Sequence, residues 1–125
     1  MKMIAAAILA SGLTLSSSAM AQDADFSLTY HVERTPAARL SIDACAQAVT
    51  KVARQARLPV SAQRYPGQLV LVKGGQRGVG AFITQCIAVD GKTVSVVQGI
   101  DYRAQRGAMG NFADRAFAAI KAAAR

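Results

Sequence analysis

The segment LSIDACAQAVTKVARQAR, residues 40–57, has the clearest helical pattern in the chain. Its apolar residues recur with the 3.6-residue period of an amphipathic helix; they are Ile42, Cys45, Ala46, Val49, Val52, Ala53 and Ala56. Ser41 is placed to cap the first turn, where Asp43 adds a favourable negative charge. The pattern turns Cys45 towards the core, and this residue is one of only two cysteines in the chain.

The segment before this helix is predicted to be a strand. Residues 25–33 alternate between apolar and polar side chains, as expected for a strand with one buried and one solvated face. The apolar set, which we expect to be buried, is Phe26, Leu28, Tyr30 and Val32. His31 then belongs to the solvated face, alone.

Further strands are predicted after the helix, at residues 60–65, 68–73, 81–89 and 93–97, with turns at Pro66-Gly67 and Asp90-Gly91. An Ala-rich helix is predicted from Phe112 to the end, with Asn111 as its N-cap. The order β-α-β-β-β-β-α predicts a single small α+β domain. Its sheet, antiparallel or mixed, would have four or five strands with two helices packed on it.

The first 21 residues have the pattern of an export signal. Lys2 gives the positive start, residues 4–15 form an apolar run, and Ala19-Met20-Ala21 is a small-x-small cleavage site. The apolar run is shorter than the roughly 20 residues that a membrane span needs. We therefore expect a cleaved signal peptide over residues 1–21 and one domain over residues 22–125, without a transmembrane span. The expected location is the bacterial periplasm, with secretion as the alternative.

The second cysteine, Cys86, lies in the predicted strand 81–89. Its expected oxidation state depends on export. An even number of cysteines in an exported chain favours a disulfide over free thiols. A redox-active pair would need close spacing such as C-x-x-C, and these two cysteines are 41 positions apart. We predict a structural Cys45–Cys86 disulfide that joins the first helix to the sheet.

Catalytic and metal chemistry find little support in the sequence. His31 is the only histidine, so a Ser–His–Asp arrangement would have to use a residue predicted to be exposed. One histidine and two paired cysteines leave no metal-binding set. The glycine-rich run at residues 74–80 lacks the Gly-Lys-Ser/Thr ending of a phosphate loop and leads into a strand, which favours a hairpin connection. We expect no catalytic residue, no metal and no cofactor.

The charge of the chain favours anionic partners. Fifteen lysines and arginines oppose seven acids, and loss of Lys2 with the signal lowers the net charge from +8 to +7. An aromatic residue and four cations near predicted loops are candidates for one anion-binding patch if the loop ends meet; they are Lys73, Arg77, Tyr102, Arg103 and Arg106. Arginine suits phosphate and carboxylate because its planar fork can bind both oxygens at once.

These observations predict a small exported, non-catalytic binding or accessory protein with a basic, Arg-rich surface. Its expected partner is an acidic protein or an anionic component of the envelope, and nucleic acid is not expected as a physiological partner of an exported protein. Both faces of strand 81–89 are largely apolar, so the face away from the first helix also needs cover. A subunit partner, as in a homodimer, a bend or bulge, or a ligand would each provide it. The alternatives are a secreted inhibitor or immunity-type protein that blocks another protein through loop 74–80, and an enzyme without a recognisable motif.

Overall fold

Residues 25–125 are described by the structure, a computed structural model. The elements follow in the order β1 Ser27–Pro36, α1 Ile42–Gln55, β2 Val60–Tyr65, β3 Leu69–Gln76, β4 Gly80–Val89, β5 Lys92–Asp101 and α2 Ala108–Ala123. The predicted order and the α+β class are confirmed. The predicted signal peptide, residues 1–21, lies outside the described residues.

The five strands form one sheet in the order β1-β5-β4-β3-β2, and every neighbouring pair is antiparallel. Both helices pack on the same face of this sheet. Helix α1 contacts β2, β3 and β4, whereas α2 contacts β1, β5 and β4, and the two helices also contact each other. Among the described residues, no helix is long and apolar enough to cross a membrane.

The disulfide between Cys45 and Cys86 joins α1 to the central strand β4, as predicted. Their Cα atoms are 6.1 Å apart, and both side chains are fully buried. Ser41 caps α1 as expected, because its side-chain oxygen accepts a hydrogen bond from the Ala44 N–H at 3.0 Å. The bridge therefore crosses the middle of the core between the helices and the sheet.

The prediction for the faces of β1 was wrong. The residues expected to be buried are about half exposed or more: Phe26 55%, Leu28 48%, Tyr30 65% and Val32 52%. Instead the polar set, which includes Thr29 and His31, faces the helices and is less exposed. Alternation in sequence separates the two faces of a strand but does not say which face the helices cover.

The prediction that Asn111 caps the second helix was also wrong. Helix α2 begins one turn earlier, at Ala108, and its N-cap residue Gly107 has no side chain to offer. The cap comes from Asp101, at the end of β5, which accepts hydrogen bonds from the first backbone N–H groups of the helix. Strand β5 is correspondingly longer than predicted, since it runs on to Asp101.

The side of the sheet away from the helices is not covered by any element of residues 25–125, and we call it the open face. The strand registers place its side chains in five rows across the sheet. Strand by strand from β1 to β2 they are Leu28, Tyr30, Val32, Arg34, Pro36; Lys92, Val94, Val96, Gln98, Ile100; Ala81, Ile83, Gln85, Ile87, Val89; Leu69, Leu71, Lys73; and Ser61, Gln63, Tyr65.

Candidate functional site

Two loops meet at one corner of the sheet. The backbone N–H of Tyr102, just after β5, donates a hydrogen bond of 2.9 Å to the carbonyl of Val79, in the turn between β3 and β4. The strand register supports this contact, because Gly80 lies opposite Asp101. Arg77, Tyr102 and Arg103 are all exposed in these two loops. We call these three residues the cationic corner.

The other two residues of the predicted patch lie away from the corner. Lys73 is on the open face of β3, opposite Ile83. Arg106 is exposed but its guanidinium is engaged, since it forms an ion pair with Asp114 and donates a hydrogen bond of 3.1 Å to the Gly110 carbonyl. Whether these five residues act together stays a prediction, and the structure brings the loops of three of them side by side.

Asp101 holds the connection that carries Tyr102 and Arg103 in place by hydrogen bonding to the start of α2. This carboxylate is 1% exposed and accepts hydrogen bonds from the N–H groups of Gly107, Met109 and Gly110 at 2.8 to 2.9 Å. A negative charge at a helix N-terminus is favoured by the helix dipole as well as by these bonds. Asp101 therefore ties the end of β5, and the arginine-bearing connection that follows it, to the start of α2.

The pKa of Asp101 reflects two opposing effects. Burial by itself would raise the pKa, but the three backbone hydrogen bonds and the nearby charge of Arg103 outweigh it, so the pKa lies below its ordinary value of 3.8. The carboxylate is therefore ionised at neutral pH. It offsets part of the positive charge of Arg103, whereas no ion pair involves Arg77 among residues 25–125.

A second cluster of polar groups lies between β1 and α2, around Asp114. His31 Nε2 is 2.8 Å from one carboxylate oxygen of Asp114, and Arg106 pairs with the other. The imidazole ring of His31 stacks on Phe117 at a centroid distance of 4.6 Å, with Lys121 over the same phenylalanine ring. The expectation of an exposed, isolated His31 was therefore wrong, because β1 presents its polar face to the helix.

The pKa of Asp114 lies below its ordinary value, because the hydrogen bond from His31 and then that from Arg106 stabilise the ionised form. A histidine–carboxylate pair can orient an imidazole for proton transfer, but it also serves as an ordinary link between a strand and a helix. Sequence reasoning missed this pair because its members are 83 positions apart. A correct prediction of which face of β1 the helices cover would have indicated that His31 lies against α2.

Several concave surfaces lie elsewhere in the described residues. A groove of about 780 Å³ separates the outer sides of the two helices, and alanines such as Ala44, Ala48 and Ala122 form part of its lining. A largely apolar hollow of about 600 Å³ lies beside Lys73 at the edge of the open face. No group of three or more His, Cys, Asp or Glu side chains in residues 25–125 is arranged to hold a metal ion.

Comparison with known protein families gives a match to this domain. The model of a family described as a family of unknown function, DUF6180, matches residues 25–125, the whole of the domain described above. No curated protein and no solved structure matches the chain. A functional interpretation therefore depends on the surface features of the domain itself.

Proposed function

Because the chain belongs to DUF6180, a family of unknown function, we propose its function from its own geometry: it is a small exported, non-catalytic protein whose cationic corner binds an anionic or acidic partner. The observation that carries the proposal is the Tyr102–Val79 hydrogen bond, which holds the two arginine-bearing loops together. The pairing of Gly80 with Asp101 brings Arg77 and Arg103 to the same end of the sheet, and this hydrogen bond links their two loops directly.

The positions of the acidic residues support anion binding at the cationic corner. Three of the acids in the described residues have structural partners: Asp43 pairs with Arg64, Asp114 pairs with Arg106 and His31, and Asp101 caps α2. Arg77 and Arg103 have no salt bridge among residues 25–125. Two exposed guanidinium groups beside an exposed tyrosine suit a phosphate or carboxylate, because arginine binds both planar oxygens and stacks on aromatic rings.

The partner's chemistry follows from the proposed location. An exported basic protein meets anionic lipid head groups and acidic proteins, and it does not meet nucleic acid in its normal environment. Attraction between surface charges raises the rate of encounter and weakens with ionic strength. We therefore expect binding that depends steeply on salt.

The experiment measures binding of the protein to vesicles that contain phosphatidylglycerol and, separately, to polyglutamate, over a range of salt concentrations. The Arg77→Ala/Arg103→Ala variant should lose most of the binding. The matched control, Arg54→Ala/Arg115→Ala, removes the same charge from exposed helix positions and should bind nearly as well as the wild type. Equal losses in both variants would show that total charge, rather than the corner, governs binding.

The two alternatives stay predictions with distinct outcomes. An inhibitor would capture one protein in a one-to-one complex that is insensitive to salt. In the structure, Gly74 and Gly75 are part of β3, so only residues 77–79 connect β3 to β4, which leaves a short loop for such a role. An enzyme would be indicated by turnover that depends on His31 or Asp114, the most developed cluster of titratable side chains in the described residues.

A further inference from the structure

The open face has the composition of a protein interface. Leucine, isoleucine and valine side chains occupy most of its rows, and on β1 the exposed Tyr30 and Val32 extend the apolar surface to the edge. Only Arg34, Lys73 and Lys92 are charged there, although the chain carries 15 lysines and arginines and seven acids. Depletion of charge in an apolar patch distinguishes the centre of an interface from ordinary protein surface.

The contrast with the inner face strengthens this inference. On β5, the residues that face the helices include Thr93, Ser95 and Gly99, whereas those on the open face include Val96 and Ile100. On β1 the apolar side chains are likewise outside, as described above. A sheet whose outer face is more apolar than its inner face is expected to have a second layer, because large exposed apolar patches mark interaction sites.

We propose that the second layer is another copy of this chain, packed face to face through the two open faces around a twofold axis. This inference is independent of the proposed anion binding, which uses loops at a corner of the sheet. Packed sheets lie about 10 Å apart with interdigitated side chains, and twofold dimers are the commonest assemblies of identical chains.

The size of the face reaches the lower end of the range for specific dimers. Five strands about 4.8 Å apart and the four rows from Leu28 to Arg34 give a flat footprint of roughly 24 Å by 26 Å, or about 600 Å² before the uneven surface of the side chains is counted. A stable interface takes about 800 Å² of accessible surface from each partner, and about 500 Å² is the lower bound. The footprint therefore falls within the range for specific association.

The position of Gln85 distinguishes a second copy from a lipid surface. Gln85 lies on the central strand β4, next to the middle of the open face, so a twofold axis through that middle passes beside it. An amide offers both donors and an acceptor, so two copies of Gln85 can pair with each other across the axis. In contact with a lipid surface, the hydrocarbon chains would leave the side-chain amides of Gln85 and Gln98 without hydrogen-bond partners, at a considerable cost in free energy.

The first test is sedimentation equilibrium of the protein, produced from its full coding sequence, over micromolar concentrations. We expect the wild type to be dimeric. The Tyr30→Lys/Val32→Lys variant changes two exposed side chains of the open face and should be monomeric with an unchanged circular dichroism spectrum. The control Gln47→Lys/Ala118→Lys adds the same charge to exposed helix positions and should stay dimeric.

A second measurement locates the interface without relying on a variant. In the wild type labelled at isoleucine methyl groups, dilution should shift the NMR signals of Ile83, Ile87 and Ile100 on the open face and leave that of the buried Ile120 unchanged. A wild type that is monomeric throughout, a dimer that persists in the open-face variant, or a monomer that binds phosphatidylglycerol vesicles through this face would each overturn the proposal.

Discussion

Gly99 lies so close beneath α2 that a Cβ atom built on it would be 2.2 Å from the carbonyl oxygen of Met109. This contact brings the backbone of the helix against the backbone of β5, with no room for a side chain between them. The close crossing of α2 and β5 therefore requires a glycine at position 99. On the same face of β5, the side chains of Thr93 and Ser95 form hydrogen bonds to Leu40 and Cys45, outside the contact with α2.

The first prediction concerns that crossing. Gly99→Ala should lower the free energy of unfolding by about 3 kcal/mol, because the clash is with backbone and no rotamer change relieves it. Gly78→Ala is the matched variant, since its Cβ would have open space and would cost only the strain of a positive φ, about 1 kcal/mol. Urea unfolding checks both values. Equal losses would show that the helix shifts easily away from the sheet.

The second prediction concerns Asp101. In Asp101→Asn the amide oxygen can keep the two backbone bonds from Gly107 and Gly110, but the NH₂ group then faces the N–H of Met109, so we expect a loss of about 2 kcal/mol at pH 7. Because the folded pKa is below the unfolded one, the stability from ionised Asp101 is fully present above about pH 4 and is lost as the pH falls through the folded pKa.

The wild type and Asp101→Asn should therefore converge in stability as the pH falls below 4. Asp90→Asn, at an exposed turn position, controls for the loss of one carboxylate. A difference between wild type and Asp101→Asn that stays constant down to pH 2 would mean that the shape of the side chain matters and its charge does not. Thermal unfolding followed by circular dichroism at several pH values makes the comparison.

The third prediction concerns the disulfide. Cys45 and Cys86 are 41 positions apart, and closing a loop of that length stabilises the folded state by about 4 kcal/mol in the chain-entropy model. The Cys45→Ala/Cys86→Ala variant should accordingly unfold at a much lower urea concentration, and reduction of the wild type should have a similar effect. An unchanged unfolding midpoint after verified reduction would contradict the structural role of the bridge.

The fourth prediction concerns Asp114. Its carboxyl pKa, followed by NMR, should lie below 3.8 in the wild type. It should rise in His31→Ala and in Arg106→Ala, because each variant removes a hydrogen bond that favours the ionised form. Arg34→Ala, an exposed cation on the other face of β1, is the control and should leave the value unchanged. No rise in the His31→Ala variant would mean that the strand–helix pair does not form in solution.

The sequence predicted most residues of the candidate site, but it did not predict how they are arranged in space. The arginines at positions 77 and 103 are visible in the sequence, yet only the antiparallel pairing of β4 with β5 brings their loops together. Arg106 looked equivalent to them, and only the structure shows that it is paired with Asp114. Such differences arise from contacts between residues distant in sequence, which local patterns do not encode.

The sequence by itself determined the order of the elements, the amphipathic helix around Cys45, its disulfide to Cys86 and the turn at Asp90-Gly91, because periodicity, cysteine count and turn chemistry are local properties of the chain. Only the tertiary structure decided which face of β1 meets the helices and which residue caps α2. Both depend on contacts between separate elements, His31 of β1 with Asp114 of α2 and Asp101 of β5 with the start of α2, which local sequence patterns do not encode.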